Sequence, residues 1–557
     1  MDKDPSEIAS EEGTTSSRRE FLVRAGTVGA ALSAIGAGAA VRPTLARASQ
    51  RHATRAVKGG TVTVGADAVG IDFVPGHIFQ GRGHEMALVA LFDGLYWYPN
   101  DDPSKPYQPQ LATALPTRSA NGLVYTIPLR KGVKFHDGTP FNADAVVFNY
   151  MRYLDKNHPY YDPNAGASVP ATFLLGIAKV EAVGQYTVRF TANTQLGDFV
   201  ASIVPFNGSG IMSPTAVKKA GVANAGLHPV GTGPFQFVEA VEGDHITLAA
   251  FGGYWGGRPS IDKLVIRAIP DPRTLTASML SGEVDISPFV EQSDIPLFRK
   301  NPSKYAVAVI PGIVTGYMGL NAAGASGFKA LADVRLRQAA CHSIDKKKLI
   351  QLALFGYGAV GAGICPPASW GYQKKLLDYN NYDPAKAKSL IKAAGGAPSL
   401  KLIAPASGYF PQLAEIIQND LNAVGFNAQI QTYDSAVYYG TFNKGAQDIG
   451  LGEGAPDVFS PYSLYKTFFG CGGTRIGRWG NWCNPGFDKT VNQLFGEARR
   501  GTDVKLVNSL DSFLLKNAIF QTNYYPSQVT VWNKRLQGVV PLAWNILGCF
   551  KSVQVRA

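Results

Sequence analysis

The chain has 557 residues, and its 53 Lys and Arg against 41 Asp and Glu give a formal net charge of +12. Apolar residues make up 45% and charged residues 17% of the sequence, a balance that excludes an intrinsically disordered chain. The length predicts two or three domains, each with its own core. The basic excess raises nucleic acid as a partner, but the short basic runs at 346–348 and 499–500 carry no nucleic-acid-binding motif, so we predict no such partner.

The first 48 residues have the pattern of an export signal. Arg18 and Arg19 precede a weakly apolar stretch at 25–41, and a small-residue cleavage pattern, A-R-A, ends at Ala48. These features predict a twin-arginine signal peptide, cleaved near Ala48, on a periplasmic protein. The alternative is a membrane anchor, which is disfavoured because a Gly- and Ala-rich stretch is too weakly apolar. The signal segment holds six basic and six acidic residues, so the charge of +12 belongs to the mature protein.

Strand and helix patterns alternate along the rest of the chain. Alternating apolar and polar residues predict strands at 59–65, 124–129, 245–250 and 263–269. Helix signals predict a start at Asn142, a start at Ser343 for a helix over 344–355, a start at Asp383 with a stop at Gly395, and a stop at Gly425. The interleaving of the two element types predicts an α/β fold.

Motifs of catalysis and cofactor binding are absent, incomplete or in the wrong structural context. The run at 356–361 matches the dinucleotide fingerprint G-x-G-x-x-G, but it follows a predicted helix instead of a strand, so we interpret it as a flexible connection. His84 and Glu85 begin the zinc motif H-E-x-x-H, but Leu88 stands at its last position. No nucleophile elbow or phosphate-binding loop occurs. We therefore predict that the protein is not an enzyme and has neither a cofactor nor a resident metal.

Five cysteines fit an exported protein with one or two disulfides. Cys471 and Cys483 flank a Gly-rich loop that is short enough to be bridged, and closing it would contribute roughly 3 kcal/mol of stability. The other three cysteines, Cys341, Cys365 and Cys549, leave one without a partner, and their pairing is open.

Several stretches, taken in order, carry a family resemblance. They are L-F-D-G-L at 91–95, L-R-K-G-V-K-F-H-D-G-T-P-F-N-A-D at 129–144, P-V-G-T-G-P-F at 229–235, Y-W-G-G at 254–257, G-E-V-D-I at 282–286, D-V-R-L-R-Q-A at 333–339 and Y-D-P-A-K-A at 382–387. With these stretches the chain resembles the bacterial extracellular solute-binding proteins of family 5, the peptide, oligopeptide and nickel-binding class that feeds ABC importers. The match extends from about residue 59 to 490, and the run at 129–144 is its most specific part.

The resemblance implies a two-lobed α/β fold of the type II periplasmic-binding-protein kind, with a subdomain inserted in the first lobe. On this sequence it places lobe I at 59–90, 208–321 and 531–557, the insertion at 91–207 and lobe II at 322–530. A peptide or other small ligand would bind between the lobes and stabilise the closed form by hinge closure. The closed protein, a monomer, would then dock on the permease subunits of an ABC importer in the inner membrane.

The resemblance also suggests where the ligand is held. Peptide-binding relatives commonly use a carboxylate ahead of the second-lobe disulfide to bind the peptide α-amino group. Here the usual Asp falls near Gly452, which leaves Glu453 or Asp457 as substitutes, although Asp457 could equally cap the segment that follows. Arg475 or Arg478 could pair with an anionic group, or both could be exposed loop charges. The remaining candidate contacts, several of them aromatics on Gly-rich loops, are His77, Phe79, Tyr317, Asn321, Trp370, Ser407 and Tyr409.

We therefore predict a periplasmic binding protein that captures a peptide or a similar small organic solute for an ABC importer. The nearest alternative is a nickel-type metal-chelate binder of the same fold, because such relatives hold the metal through a small chelator with few protein ligands. An exported hydrolase is the second alternative, and the lack of a nucleophile motif argues against it.

Overall fold

The computed structural model of the protein describes residues 56–57, 59–77, 81–98, 107–172, 174, 176–197, 199–203, 210–454, 461–471, 482–496, 500–541 and 550–556. In chain order the strands are β1 Ala56–Val57, β2 Thr61–Ala66, β3 Tyr96–Trp97, β4 Gln108–Pro109, β5 Thr117–Arg118, β6 Val124–Pro128, β7 Ile177–Gly184, β8 Thr187–Ala192, β9 Phe235–Val241, β10 His245–Ala250, β11 Lys263–Ala268, β12 Ile286–Ser287, β13 Tyr305–Pro311, β14 Thr315–Leu320, β15 Gly358–Val360, β16 Ser399–Pro405, β17 Asn427–Tyr433, β18 Ile449–Gly454, β19 Phe520–Asn533, β20 Leu536–Gln537 and β21 Gln554–Arg556.

The helices are interleaved with these strands along the chain. In chain order they are α1 Arg82–Leu91, α2 Ala143–Leu154, α3 Pro163–Thr172, α4 Phe199–Ile203, α5 Pro214–Ala220, α6 Pro272–Ser281, α7 Ile295–Arg299, α8 Val334–Ser343, α9 Lys346–Ala353, α10 Pro384–Ala393, α11 Phe410–Ala423, α12 Ser435–Asn443, α13 Pro461–Phe469, α14 Pro485–Gly496 and α15 Arg500–Lys516. Within the described ranges, no helix is both long enough and apolar enough to cross a bilayer.

A 12-stranded mixed sheet, in the order β17-β16-β18-β14-β19-β12-β2-β11-β10-β9 with β13 and β15 also on β19, is the main framework of the fold. Strand β19 is its central member and has 14 residues. The first part of β19 pairs with β14, as in Met318 opposite Gln521, and its last part pairs with β13, as in Val307 opposite Val531. One strand therefore belongs to both halves of the sheet.

Smaller sheets lie beside the main one. Strands β5-β6-β8-β7 form a four-stranded antiparallel sheet, and α2 packs on β7. A hydrophobic core under this sheet includes Ile127, Phe141 and Phe190. Separate cores lie under the two halves of the main sheet, one around Val64 and the other around Leu402. Each layer thus buries its own apolar face, as the burial of apolar surface requires.

Most predicted elements are confirmed, because their signals are local. The four predicted strands correspond to β2, β6, β10 and β11 within a residue or two. Asn142 caps α2 by accepting a hydrogen bond from the Ala145 amide at 3.0 Å, and Asp383 caps α10 in the same way through Lys386. Gly425, with a φ of 115°, follows the end of α11 in a left-handed conformation that suits glycine.

Two local predictions are wrong. The helix expected to start at Ser343 is capped instead by Asp345, whose carboxylate accepts from the Lys347 and Lys348 amides. Ser343 ends the preceding helix, where its hydroxyl donates to the Ala340 carbonyl at 2.8 Å. The Gly-rich run interpreted as a flexible connection contains β15, which pairs with β19 and is therefore part of the sheet.

Candidate functional site

A cleft of about 560 Å³ lies beside the part of β19 where the two halves of the main sheet meet. We call the lining residues between 67 and 293, such as Arg82 and Phe289, the first wall. We call those between 312 and 453, such as Tyr409 and Glu453, the second wall, and residues 526–529 of β19 complete the lining. The volume is in the range of small-molecule binding sites.

Glu453 and Tyr409 form the polar centre of the second wall. The Tyr409 hydroxyl donates a hydrogen bond to the Glu453 carboxylate, and both side chains are half-buried. Burial raises the pKa of the Glu453 carboxyl, while the hydrogen bond from Tyr409 and the positive charge of Arg82 act in the opposite direction. A partly desolvated carboxylate of this kind is a strong acceptor for a cationic group that enters the cleft.

The pairing of β14, β18 and β19 determines the neighbours of Glu453. Gly316 on β14 lies opposite Glu453 on β18 and opposite Tyr524 on β19, so the three residues form one row across the sheet. A Cβ atom at Gly316 would lie 2.2 Å from Cζ of Tyr524, so glycine is what allows the Tyr524 ring to occupy this position. The ring of Tyr524 contacts that of Tyr409 at a centroid distance of 6.3 Å.

The neighbouring position, Gly452, has no space for a side chain. It lies opposite Tyr317 on β14, and a Cβ atom there would be 2.9 Å from the Tyr317 hydroxyl oxygen. Successive residues of a strand point to opposite faces of the sheet. Glu453 therefore points to the face opposite the one that Tyr317 fills, on the side of the cleft.

Charged groups on the first wall include Arg82 and Asp67. One carboxylate oxygen of Asp67 accepts hydrogen bonds from the amides of Ala68 at 2.8 Å and Arg82 at 3.0 Å, which fixes the start of α1. The Arg82 guanidinium lies over the ring of Phe289, 5.6 Å from its centroid. Arg82 and Phe289 are not among the contacts predicted from the sequence, because no local pattern distinguishes them from other residues of their types.

Of the ten predicted ligand contacts, the structure brings Ser407, Tyr409 and Glu453 together at the cleft. Tyr317 is buried in a core that Trp370 also contacts. Asn321 is buried, and its side-chain amide donates to the carbonyls of Ala325, Gly445 and Gln447 while its oxygen accepts from two amides. The structure thus gives Tyr317 and Asn321 roles in packing and loop anchoring, away from the cleft lining.

His77 lies between two carboxylates. Its Nδ1 is 2.6 Å from Asp72, and its Nε2 is 2.9 Å from Asp162, which also accepts from Arg152 at 2.9 Å. Burial alone would lower the pKa of His77, but the hydrogen bonds and charges of Asp162 and Asp72 outweigh it and raise the pKa to about 9. Both ring nitrogens are therefore engaged within the protein. The other three predicted contacts, Phe79, Asp457 and Arg475, lie outside the described residues.

The stretches that carry the family resemblance bind one another. Asp93 is buried and accepts hydrogen bonds from Thr232 at 3.0 Å, Trp255 at 2.8 Å, Tyr254 at 3.2 Å and Gln110 at 2.7 Å. Burial raises the pKa of Asp93 to about 6 against the lowering effect of these bonds. Three of the stretches thus meet at one carboxylate, and none of their residues lines the cleft.

Cys471 and Cys483 are joined by a disulfide in the structure. Cys341 and Cys365 are buried free thiols, and Cys549 lies outside the described residues. In the ranges that the structure describes, no group of three or more His, Cys, Asp or Glu side chains is arranged to hold a metal ion.

Comparison with known proteins places these observations among relatives. The family model described as bacterial extracellular solute-binding proteins, family 5 Middle, matches residues 106–475. The dipeptide-binding protein of Escherichia coli is 31% identical over 398 residues, which are 67% of this chain and 72% of that protein. Heme-binding protein A of Haemophilus influenzae is 30% identical over 455 residues, which are 78% of this chain and 82% of that protein.

Solved structures are similar over almost the whole chain. The ABC transporter-associated periplasmic binding protein DppA of Helicobacter pylori, in complex with the peptide STSA, superposes with a TM-score of 0.78 and 24% identity. The superposition covers 90% of this chain and 99% of that protein. At this identity the similarity shows the fold.

Proposed function

Because the chain belongs to the bacterial extracellular solute-binding proteins of family 5, we propose that it captures a peptide or a similar amine-bearing solute in the cleft and delivers it to the permease of an ABC importer. The family consists of binding proteins, not enzymes. The predicted α/β fold of the type II periplasmic-binding-protein kind is confirmed. The observation that carries the ligand class is the Glu453 carboxylate, held by Tyr409 at the cleft.

The chemistry of the cleft supports an amine-bearing ligand. An ammonium group within hydrogen-bonding distance of Glu453 would favour the ionised carboxylate that burial disfavours. Arg82 lines the same cleft, and its guanidinium is the kind of group that pairs with a ligand carboxylate. A ligand that contacts both walls would favour the closed form, since its contacts with each wall are complete only there. Because the ammonium requires the ionised carboxylate, affinity would fall on acidification.

A substitution that removes the negative charge but keeps the size of the side chain tests the role of Glu453. We expect Glu453→Gln to weaken the binding of those dipeptides that the wild type binds by roughly 30-fold, which corresponds to about 2 kcal/mol for a lost charge-assisted hydrogen bond. Isothermal titration calorimetry measures this change. Glu415→Gln is the matched control, because Glu415 is exposed on α11 and does not line the cleft. Equal affinity of Glu453→Gln and wild type would remove Glu453 from the site.

Mass spectrometry of the ligand released from purified protein tests the ligand class itself. Peptides or other amines are the expected result. A nickel chelate or a neutral sugar would replace the peptide assignment, and sustained hydrolysis of peptides or esters by pure protein would overturn the binding-protein proposal.

The remaining parts of the proposal concern export and structure. We propose that the twin-arginine route delivers the protein to the periplasm after cleavage near Ala48, on the strength of Arg18 and Arg19. Replacing both by lysine should leave the uncleaved protein in the cytoplasm, as cell fractionation would show. The mapped lobe boundaries, a monomeric state and the ligand contacts Phe79, Asp457 and Arg475 belong to the same proposal.

A further inference from the structure

Phe355 has an unusual backbone conformation at the end of α9. Its φ is +50°, in the left-handed region that favours glycine or asparagine. The helix requires such a residue here, since the amides of Leu354 and Gly356 both donate to the Ile350 carbonyl as the chain turns away. The turn explains the conformation at this position. It does not explain why the residue that adopts it is a phenylalanine.

The side chain of Phe355 is only partly buried in the folded protein. Phe355 is 52% exposed, whereas most large apolar residues of this half of the sheet are buried. A large aromatic residue therefore combines an unfavourable backbone conformation with an exposed ring. Strain of this kind clusters at functional sites, and of the four non-glycine residues that have a positive φ in the described part of the chain, Phe355 is the one that lines the cleft.

The surroundings of Phe355 connect it to the proposed amine site. Gln412 on α11 donates to the Leu352 carbonyl of α9 at 3.2 Å, which holds the ends of the two helices together. Phe410, at the start of α11, lines the same cleft and stacks on Tyr409 at a centroid distance of 5.6 Å. Tyr409 in turn donates to Glu453. This wall therefore carries aromatic rings beside the carboxylate.

We propose that Phe355 is a specificity-determining residue, which forms the aromatic wall of a subsite for a bulky apolar or aromatic side chain of the ligand. The inference rests on the proposed function and narrows it to amine-bearing peptides with at least one large apolar side chain. Charge complementarity agrees with this class, since the lining residues of the described chain include Asp67, Glu291 and Glu453 but one cation, Arg82. Closure of the cleft around a ligand would bury the exposed part of the Phe355 ring against it.

The variant Phe355→Asn separates a binding role from a structural one. Asparagine adopts the left-handed conformation more readily than phenylalanine, so we expect the ligand-free variant to melt at or above the temperature of the wild type. For binding, the probes are Ala-Ala, Ala-Phe and Phe-Ala, measured by calorimetry. The wild type should prefer at least one aromatic dipeptide over Ala-Ala by about tenfold, and Phe355→Asn should lose this preference while its affinity for Ala-Ala changes less than about twofold.

Two further variants sharpen the result. Phe355→Tyr should retain the preference, because it keeps the ring. Leu352, near the end of α9, is also exposed but does not line the cleft, and Leu352→Gln should behave as the wild type. An unchanged preference in Phe355→Asn, no preference in the wild type, or a clearly lower melting temperature of ligand-free Phe355→Asn would each overturn the inference.

A probe without an amino-acid backbone distinguishes this failure from a failure of the proposed function. If the wild type binds none of the three dipeptides, the neutral aromatic dye N-phenyl-1-naphthylamine tests the subsite, while the ligand released from the purified protein decides the peptide proposal. Enhanced dye fluorescence with the wild type that is lost in Phe355→Asn would support the aromatic subsite. Equal fluorescence in the two proteins would overturn it.

Discussion

At the scale of single residues, His77 joins parts of the chain that are distant in sequence. Its two ring nitrogens contact Asp72, five residues earlier, and Asp162, at the start of α3. Because Asp162 also binds the buried Arg152, the imidazole closes a charged cluster between the loop after β2 and the helices α2 and α3. Such a cluster stabilises the fold only while the histidine carries its proton.

The pH dependence of stability tests this role. The folded-state pKa of His77, about 9, exceeds its ordinary value of 6.5, so the stabilisation is complete below pH 6.5 and is lost as the pH rises through 9. We expect His77→Gln to lower the free energy of unfolding by about 3 kcal/mol at pH 6, and by much less at pH 10. Urea unfolding at the two pH values measures the difference. His228→Gln, at an exposed position, is the control, and a loss independent of pH would contradict the ionic role.

At the scale of elements, the sequence predicts what depends on neighbours in the chain. The starts of α2 and α10 follow from Asn142 and Asp383, because a cap needs only the next three residues. Ser343 and Asp345 are both good caps two residues apart, and the choice between them depends on Ser343 bonding back to the preceding helix. Local pattern alone does not determine that choice.

Gly316 on β14 allows a test of the row that it forms with Glu453 and Tyr524 across the sheet. In Gly316→Ala the new Cβ would overlap the Tyr524 ring, so we expect a loss of about 1–3 kcal/mol in the free energy of unfolding. The displaced Tyr524 would also disturb Tyr409, and ligand affinity should fall with it. Thermal unfolding and calorimetry measure the two effects. Gly252→Ala should change neither, since a Cβ there meets no atom within 4 Å.

At the scale of the whole molecule, the cleft depends on contacts that no local pattern contains. Its lining extends from Asp67 to Val529 in the sequence. The stretches that carry the family resemblance contact one another, as at Asp93. They therefore predict the framework and the family but not the ligand-facing side chains. Arg82, Phe289 and Phe355 are recognised as parts of one site from the tertiary structure.

Hydrogen exchange in strand β19 can measure closure of the cleft around a ligand. Residues 526–529 line the cleft where the pairing of β19 changes from β14 to β13. We expect the ligand recovered from the protein to slow backbone amide exchange in this segment, because a ligand held by both walls suppresses local opening. Hydrogen exchange with mass spectrometry gives the rates, and α5, which does not line the cleft, should be unaffected. Unchanged exchange in β19 would argue against closure around this strand.

The shared strand has a consequence for dissecting the protein. A cut after residue 530, at the predicted boundary of the second lobe, would divide β19 within its pairing to β13. The larger piece would then expose backbone groups of β12 and β13 that residues 531–533 had paired, and such an open strand edge pairs with other chains. The larger piece should aggregate when produced alone, and it should yield a soluble complex when it is produced together with the smaller piece, which can restore the strand.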